Sequence, residues 1–169
     1  HSHRKGGSFV PVNCGLLRGE LFESQVFGHA AGAVGGGAGE SLGALRSAEG
    51  GTIFFDEIDE LDVDLQLKIS RVLQRRMVRP VGGTEEYAVN VRVICSSRGE
   101  LAEKVDHGEY LSELYYQVDG VSIRIPPLRE RKEDIAILSR YFLDTQSKVF
   151  NEPSKKLSED ALRVLSVYG

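Results

Sequence analysis

Gly50-Gly51-Thr52-Ile53-Phe54-Phe55-Asp56-Glu57-Ile58 is the stretch whose reading decides the fold. Thr52 to Phe55 is a compact apolar run of strand length, bounded by two glycines on one side and two acids on the other. It predicts a buried strand whose carboxyl end presents Asp56 and Glu57. Immediately beyond, Leu65, Ile69, Val72 and Leu73 recur at the spacing of one face of an amphipathic helix. A strand that feeds a helix, with further strands and helices alternating along the chain, implies an α/β sheet covered by helices.

Outward towards the carboxyl end, Gly82-Gly83 reads as a turn, and Val91 to Cys95 as a second apolar strand. Leu111 to Val118 reads as a helix. Val121 to Ile125 alternates like a strand until Pro126-Pro127 stops it. From Glu133 to about Phe150 the periodicity is helical, with Ile135, Leu138 and Phe142 on one face, and Ser158 is a good cap for a last helix through Ala161, Leu162 and Leu165. Outward in the other direction, Phe9-Val10-Pro11-Val12 has the look of a strand, although Pro11 cannot donate to a ladder. Leu16 to Phe27, with Leu17, Leu21, Val26 and Phe27, suits a helix. Between that helix and the central strand lies Gly28 to Gly43, a stretch dominated by glycine and alanine. A strand follows it closely in a chain of single-domain size, so it reads as a long functional loop rather than a linker between domains.

Composition narrows the function. The 169 residues suffice for one domain with a sizeable core; 41% are hydrophobic and 27% charged, the balance of a soluble globular protein. A net charge of -4 argues against a large basic face wrapped around nucleic acid. No apolar run approaches the length of a membrane helix, and no charged-then-apolar leader signals secretion. Cys14 and Cys95 belong to no metal-spaced cluster and read as two reduced, packed thiols, which fits a cytoplasmic setting.

Ligands of open α/β sheets bind outside the carboxyl ends of the strands, which is where Asp56 and Glu57 are expected. Two adjacent acids there can divide the labour of nucleotide hydrolysis. One holds Mg²⁺ through its water shell, and the other orients and polarises the attacking water. The competing reading of the same pair is a solvated helix start favoured by the helix dipole.

Several colinear motifs bear on that choice. Phe9-Val10-Pro11-Val12-Asn13-Cys14, Glu23-Ser24-Gln25-Val26-Phe27-Gly28-His29, the Gly50 to Ile58 stretch, Leu114-Tyr115-Tyr116, Pro126-Pro127-Leu128-Arg129-Glu130-Arg131 and Glu133-Asp134-Ile135 resemble, in order and nearly in spacing, the sigma-54 interaction domains of bacterial enhancer-binding transcription activators. The resemblance covers essentially the whole chain. It implies an AAA+ P-loop NTPase-like three-layer sandwich with a mostly parallel sheet over residues 1–130, and the beginning of a helical lid over 131–169. Asp56 then looks like the Walker B magnesium residue and Glu57 like the catalytic acid. Asn13 matches the asparagine that restrains that acid, a role an amide can fill by hydrogen bonding to a carboxylate. Ser97 keeps a phosphate-sensing hydroxyl, and Arg129 and Arg131 resemble the segment near bound nucleotide. The implied cofactors are ATP and Mg²⁺. The implied partners are RNA polymerase holoenzyme, further copies of the chain, and DNA held through a separate C-terminal helix-turn-helix domain.

The departures from the family pattern shape the functional expectation. The polymerase-contacting loop of the family reads Gly-Ala-Phe-Thr-Gly-Ala, against Gly32-Ala33-Val34-Gly35-Gly36-Gly37 here. Valine cannot replace the aromatic surface, and the glycines add entropy that binding must remove. The positions of the arginines that reach a neighbouring subunit's nucleotide are Leu111 and Gln117, although such a trans arginine is worth about 10³ to 10⁵ in rate. Arg98 stands where an amide is usual. No Gly-x-x-x-x-Gly-Lys-[Ser/Thr] loop occurs; the resemblance places it before the first residue, so the fragment alone is expected not to bind ATP normally. These features imply a nucleotide-binding, self-assembling regulator of RNA polymerase with weak or absent hydrolysis, an atypical activator that does not rely on sigma-54 remodelling. The alternative is a fully active ATP-hydrolysing sigma-54 activator that drives open-complex formation. Some atypical relatives are controlled by cyclic dinucleotides, which makes that effector class a further expectation.

Overall fold

The computed structural model describes residues 2–16, 18–34 and 39–168. The chain divides into two compact units, His1–Val121 and Ser122–Gly169, taken here separately.

The first unit is built on a parallel sheet of three strands, β1 (Phe9–Asn13), β2 (Thr52–Asp56) and, in the order β1-β2-β5, β5 (Arg92–Cys95). The register aligns Val10 with Ile53 and Val93, and Val12 with Phe55 and Cys95. Side chains alternate along a strand, so these six residues share one face. Val12, Ile53 and Phe55 on that face are completely buried. Pro11 fits because β1 is an edge strand of the described sheet, where a missing amide donor costs no ladder bond on its open side. On the other face Phe9 is 61% and Ile94 39% exposed, with the Phe9 ring stacked on Phe54.

Helices cover the buried face. These are α1 (Gly19–Phe27), α2 (Gly43–Ser47), α3 (Val63–Arg75), α4 (Leu101–Asp106) and α5 (Ser112–Val118). Phe22 and Val26 of α1, Leu45 of α2, Leu65 and Ile69 of α3 and Leu114 of α5 join the strand residues in one core. The predicted apolar face of α3 is the one buried, and Asp62 caps the helix by accepting a hydrogen bond from the Leu65 amide at 2.9 Å. Helix α1 begins at Gly19, later than the predicted Leu16; Leu17 lies outside the described residues. A small antiparallel pair, β3 (Met77–Val78) with β4 (Tyr87–Ala88), follows α3. The chain enters it through Arg76, whose left-handed backbone (φ 56°) ends the helix.

The glycine-rich stretch is pinned at both ends within this unit. His29 and Ser41 exchange backbone hydrogen bonds of 3.0 and 2.9 Å, and Val81 bonds both to Ala30 and to Gly28. The His29 ring crosses the neck, one nitrogen 2.7 Å from Ser24 Oγ and the other 2.7 Å from the Gly39 carbonyl. A loop closed in this way is part of a domain, not a tether between two.

In the second unit, α6 (Glu133–Phe150) packs on α7 (Glu159–Val167), and Ser158 caps α7 by accepting from the Ala161 amide. The expected strand at Val121–Ile125 is not formed. Val121, Ile123 and Ile125 are 89, 82 and 72% exposed, and no described strand pairs with them. Alternation satisfies only the side chains of a strand; without a neighbouring edge its amides and carbonyls stay with water.

Candidate functional site

Asp56 is the last residue of β2, and the chain leaves the sheet at Glu57 in a left-handed conformation (φ 57°, ψ 52°). A non-glycine residue held there costs on the order of 1 kcal/mol, which the surrounding bonds must offset. They are present. The Ile58 amide donates to the Ser96 carbonyl at 3.0 Å, and the Glu57 amide donates to Ser96 Oγ at 2.9 Å. The same Ser96 hydroxyl donates onward to Asp56 Oδ1 at 2.5 Å. Ser96 therefore fixes both acids from the end of β5. A short 3-10 turn, Ile58–Glu60, follows.

The two acids have different surroundings. Asp56 Oδ1 is held by Ser96, while Oδ2 carries no hydrogen bond from the described residues. Glu57 Oε1 accepts from Arg98 Nε at 3.0 Å and from Arg98 Nη2 at 2.6 Å. A third nitrogen of that guanidinium, Nη1, lies 3.6 Å from Glu60 Oε1. Glu57 Oε2 faces Gly15, where a Cβ would come within 2.9 Å of it. The opening of the β1 loop is thus shaped to the glutamate.

Asn13 ends β1 beside this cluster. Its Oδ1 accepts from the amides of Gly15 (2.9 Å) and Leu16 (3.1 Å), so the side chain shapes its own loop. Ser97, singled out in the sequence, bonds within its own turn, donating to the Gly99 carbonyl at 2.7 Å. Its neighbour Ser96, which the motif reading passed over, is the hydroxyl on Asp56. Two serines in succession at a strand end cannot be told apart from sequence, because which one faces the neighbouring strand depends on register.

Asp59 is half-buried as a residue but its side chain is only 2% exposed, and it receives Lys104 Nζ at 2.9 Å. Burial alone would raise its carboxyl, but the Lys104 hydrogen bond and charge outweigh that and hold it below its ordinary value. The first unit thus gathers Asp56, Glu57, Asp59 and Glu60 against Arg98 and Lys104. Among the described residues, no group of three or more histidines, cysteines or acids is arranged to enclose a metal ion. A single free carboxylate oxygen suits an ion that keeps most of its water and takes its remaining ligands from a nucleotide, as magnesium does.

The loop residues Gly32 and Ala33 are exposed, and Val34 is half-buried; Gly35, Gly36 and Gly37 lie outside the described residues. Ala33 rests against the Gly82 turn, where a Cβ would meet it at 2.5 Å. Leu111 packs against the core and its amide donates to Gln66 Oε1 at 2.8 Å, while Gln117 is exposed. Arg129 and Arg131 belong to the second unit: Arg129 lies in the 3-10 turn Leu128–Glu130, and Arg131 pairs with Asp134 at 3.4 Å.

Comparison with known proteins agrees with this architecture. The family model of the Sigma-54 interaction domain matches residues 1–124. The chain is 41% identical over 160 residues to the response regulator protein PilR of Pseudomonas aeruginosa, covering 95% of this chain and 36% of PilR. It is 43% identical over 165 residues to a Nif-specific regulatory protein of Herbaspirillum seropedicae, covering 97% of this chain and 30% of that protein. Crystal structures of NtrX from Brucella abortus superpose with a TM-score of 0.89 at 31% identity, covering 98% of this chain and 37% of NtrX, and with 0.86 at 30% identity for NtrX in complex with ATP, covering 99% and 37%. The chain therefore spans about a third of the length of these relatives. With its parallel sheet, its acids at the end of β2 and these matches, the chain belongs to the Sigma-54 interaction domain family, the AAA+ domain of bacterial transcriptional activators.

Proposed function

We propose that this chain is the central module of an atypical activator. It binds nucleotide and self-assembles, and it controls RNA polymerase without relying on sigma-54 remodelling. One observation carries the reading: Leu111, at a position where relatives place an arginine for the neighbouring subunit, is committed inward, packed on the core with its amide on Gln66. With Gln117 at the second such position, neither supplies a cation to stabilise phosphoryl transfer. Asp56 would hold Mg²⁺ through its free oxygen, and Glu57 would face the attacking water. Asn13 and Ser97 would border the site, and Arg129 and Arg131 match the family segment expected near bound nucleotide. The phosphate cradle would come from a part of the protein other than residues 1–169.

The whole protein is expected to act in the cytoplasm and to reach DNA through a separate helix-turn-helix domain. The relatives include ATP-bound NtrX, which supports ATP as the nucleotide. A cyclic dinucleotide is the effector class to test by titration. The second reading, a fully active ATP-hydrolysing sigma-54 activator, is favoured by the intact Asp56–Glu57 geometry.

The deciding experiment measures ATP binding and ATP turnover by the full-length protein beside a Glu57→Gln control, over a wide range of protein concentration. Binding with turnover within about tenfold of the control supports the scaffold, with hydrolysis weak or absent. Turnover about 10³-fold or more above the control, the scale a trans arginine supplies, overturns it in favour of the motor.

A further inference from the structure

We propose that Arg98 is a clamp, supplied from within the same subunit, that holds the Glu57 carboxylate in a resting position and throttles hydrolysis at this site. The proposal rests on the reading of Asp56 and Glu57 as a nucleotide site and adds its regulation.

The geometry distinguishes a clamp from a phosphate contact. An arginine poised for phosphate leaves donors free to point at it. Here all three guanidinium nitrogens face carboxylates: Nε and Nη2 bond Glu57 Oε1 at 3.0 and 2.6 Å, and Nη1 lies 3.6 Å from Glu60 Oε1. Two donors on one oxygen fix the direction of the carboxylate as well as its charge. The backbone is tethered too. The Arg98 amide lies 3.4 Å from Asp59 Oδ1, and Asp59 is itself pinned by Lys104. Two residues earlier, Ser96 ties the same loop to Asp56 and to the Glu57 amide. The 96–98 segment and the 57–60 turn are therefore zipped together, and Arg98 is delivered to Glu57 with little freedom left to lose. Asn13 accepts from the Gly15 and Leu16 amides through Oδ1, and among the described residues its amide nitrogen makes no hydrogen bond to Glu57.

The Arg98 side chain is 65% exposed. An ion pair this open to water is weak, so the clamp is reversible and its effect is a matter of a few-fold rather than of all or nothing. The exposure also means that replacing Arg98 removes little packing.

The test uses full-length protein and measures the binding of a fluorescent ATP analogue with magnesium, steady-state ATP turnover, and thermal unfolding. Arg98→Asn is expected to raise kcat by about fivefold, the order of one exposed ion pair, with KM within about twofold of the parent. Adding Glu57→Gln to it should return turnover to the baseline. Arg98→Lys, which keeps the charge but cannot place two donors on one oxygen, is expected to fall between Arg98→Asn and the parent. Glu60→Gln, which frees one arm of the clamp, should raise kcat by about twofold and serves if Arg98→Asn does not fold. ATP binding retained with kcat unchanged or lowered in both Arg98→Asn and Glu60→Gln overturns the clamp and leaves the nucleotide reading standing. Absence of ATP binding in parent and variants alike overturns the nucleotide reading, and the clamp with it.

Discussion

Asp59 and Lys104 show how much a single position decides here. A carboxylate with a 2% exposed side chain is held chiefly by one ammonium at 2.9 Å, with the Arg98 amide at 3.4 Å on its other oxygen. Lys104→Met removes the ammonium from that charge and leaves it the Arg98 amide, which is expected to lower stability at pH 7 by about 1–3 kcal/mol in chemical denaturation. The pH dependence follows from the sign of the shift. The folded-state carboxyl titrates below its ordinary value of 3.8, so the stability it contributes is full above that value and is lost as pH falls through the lower, folded-state one. In Lys104→Met the lowering due to the lysine is lost, so the stability that depends on it is absent at neutral pH and the deficit is expected to shrink as the solution is acidified. Denaturation curves of both proteins between neutral and acid pH measure this; a deficit constant with pH would show that the lysine acts by packing alone. At the same scale, that Ser96 rather than Ser97 reaches Asp56 was invisible in the sequence; the Ser96 hydroxyl lies 2.5 Å from Asp56 Oδ1.

Among elements, helix α3 carries the connection between the sheet and the segment leading to α5. Gln66 is fully buried on it, and its amide donates to the carbonyls of Leu61 (2.8 Å) and Glu109 (3.3 Å) while its oxygen accepts from Leu111. Gln66→Leu keeps the volume and strands these partners, at an expected cost of about 2–3 kcal/mol by calorimetry or urea titration. An unchanged midpoint would show that water replaces the amide. The neck of the glycine-rich loop depends on two glycines with positive φ, Gly28 (84°), packed against the backbone of Ser41 and Leu42, and Gly43 (75°), packed against that of Phe27 and Gly28. A Cβ on Gly43 would come within 2.2 Å of the Gly28 amide nitrogen. Gly43→Ala is therefore expected to open the neck and cost more than the ~1 kcal/mol of the left-handed conformation alone. Hydrogen exchange at the His29 and Ser41 amides reads it directly, and protection equal to the parent's would refute the prediction.

Across the whole molecule, the core of the first unit buries the Cys14 thiol and half-buries that of Cys95. Burial pushes Cys14 and Cys95 up to about 12, Cys14 with a smaller contribution from Cys95 and the nearby acids. At pH 8 little of either thiol is then ionised, so both should react slowly with a disulfide reagent in native buffer, buried Cys14 more slowly than half-buried Cys95. Both should react at the rate of unfolding when denaturant is added. Fast labelling of either in native buffer would place it outside the core described here. No helix among the described residues is long and apolar enough to cross a membrane.

Periodicity and punctuation in the sequence were enough to read the central strand, α3, α6 and the cap at Ser158, because those features depend on residues close together in the chain. The acidic pair at a strand end was legible for the same reason, and colinear motifs brought the family. What only the tertiary structure decided lies where distant segments meet: Arg98 on Glu57 across 41 positions, Ser96 on Asp56 across 40, and Gln66 on Leu111 across 45. The strand expected at Val121–Ile125 failed for a related reason, since alternation describes one segment while a ladder needs two. Local sequence sets what each segment prefers, whereas side-chain partners across the sheet are set by register and crossover, which no local pattern encodes.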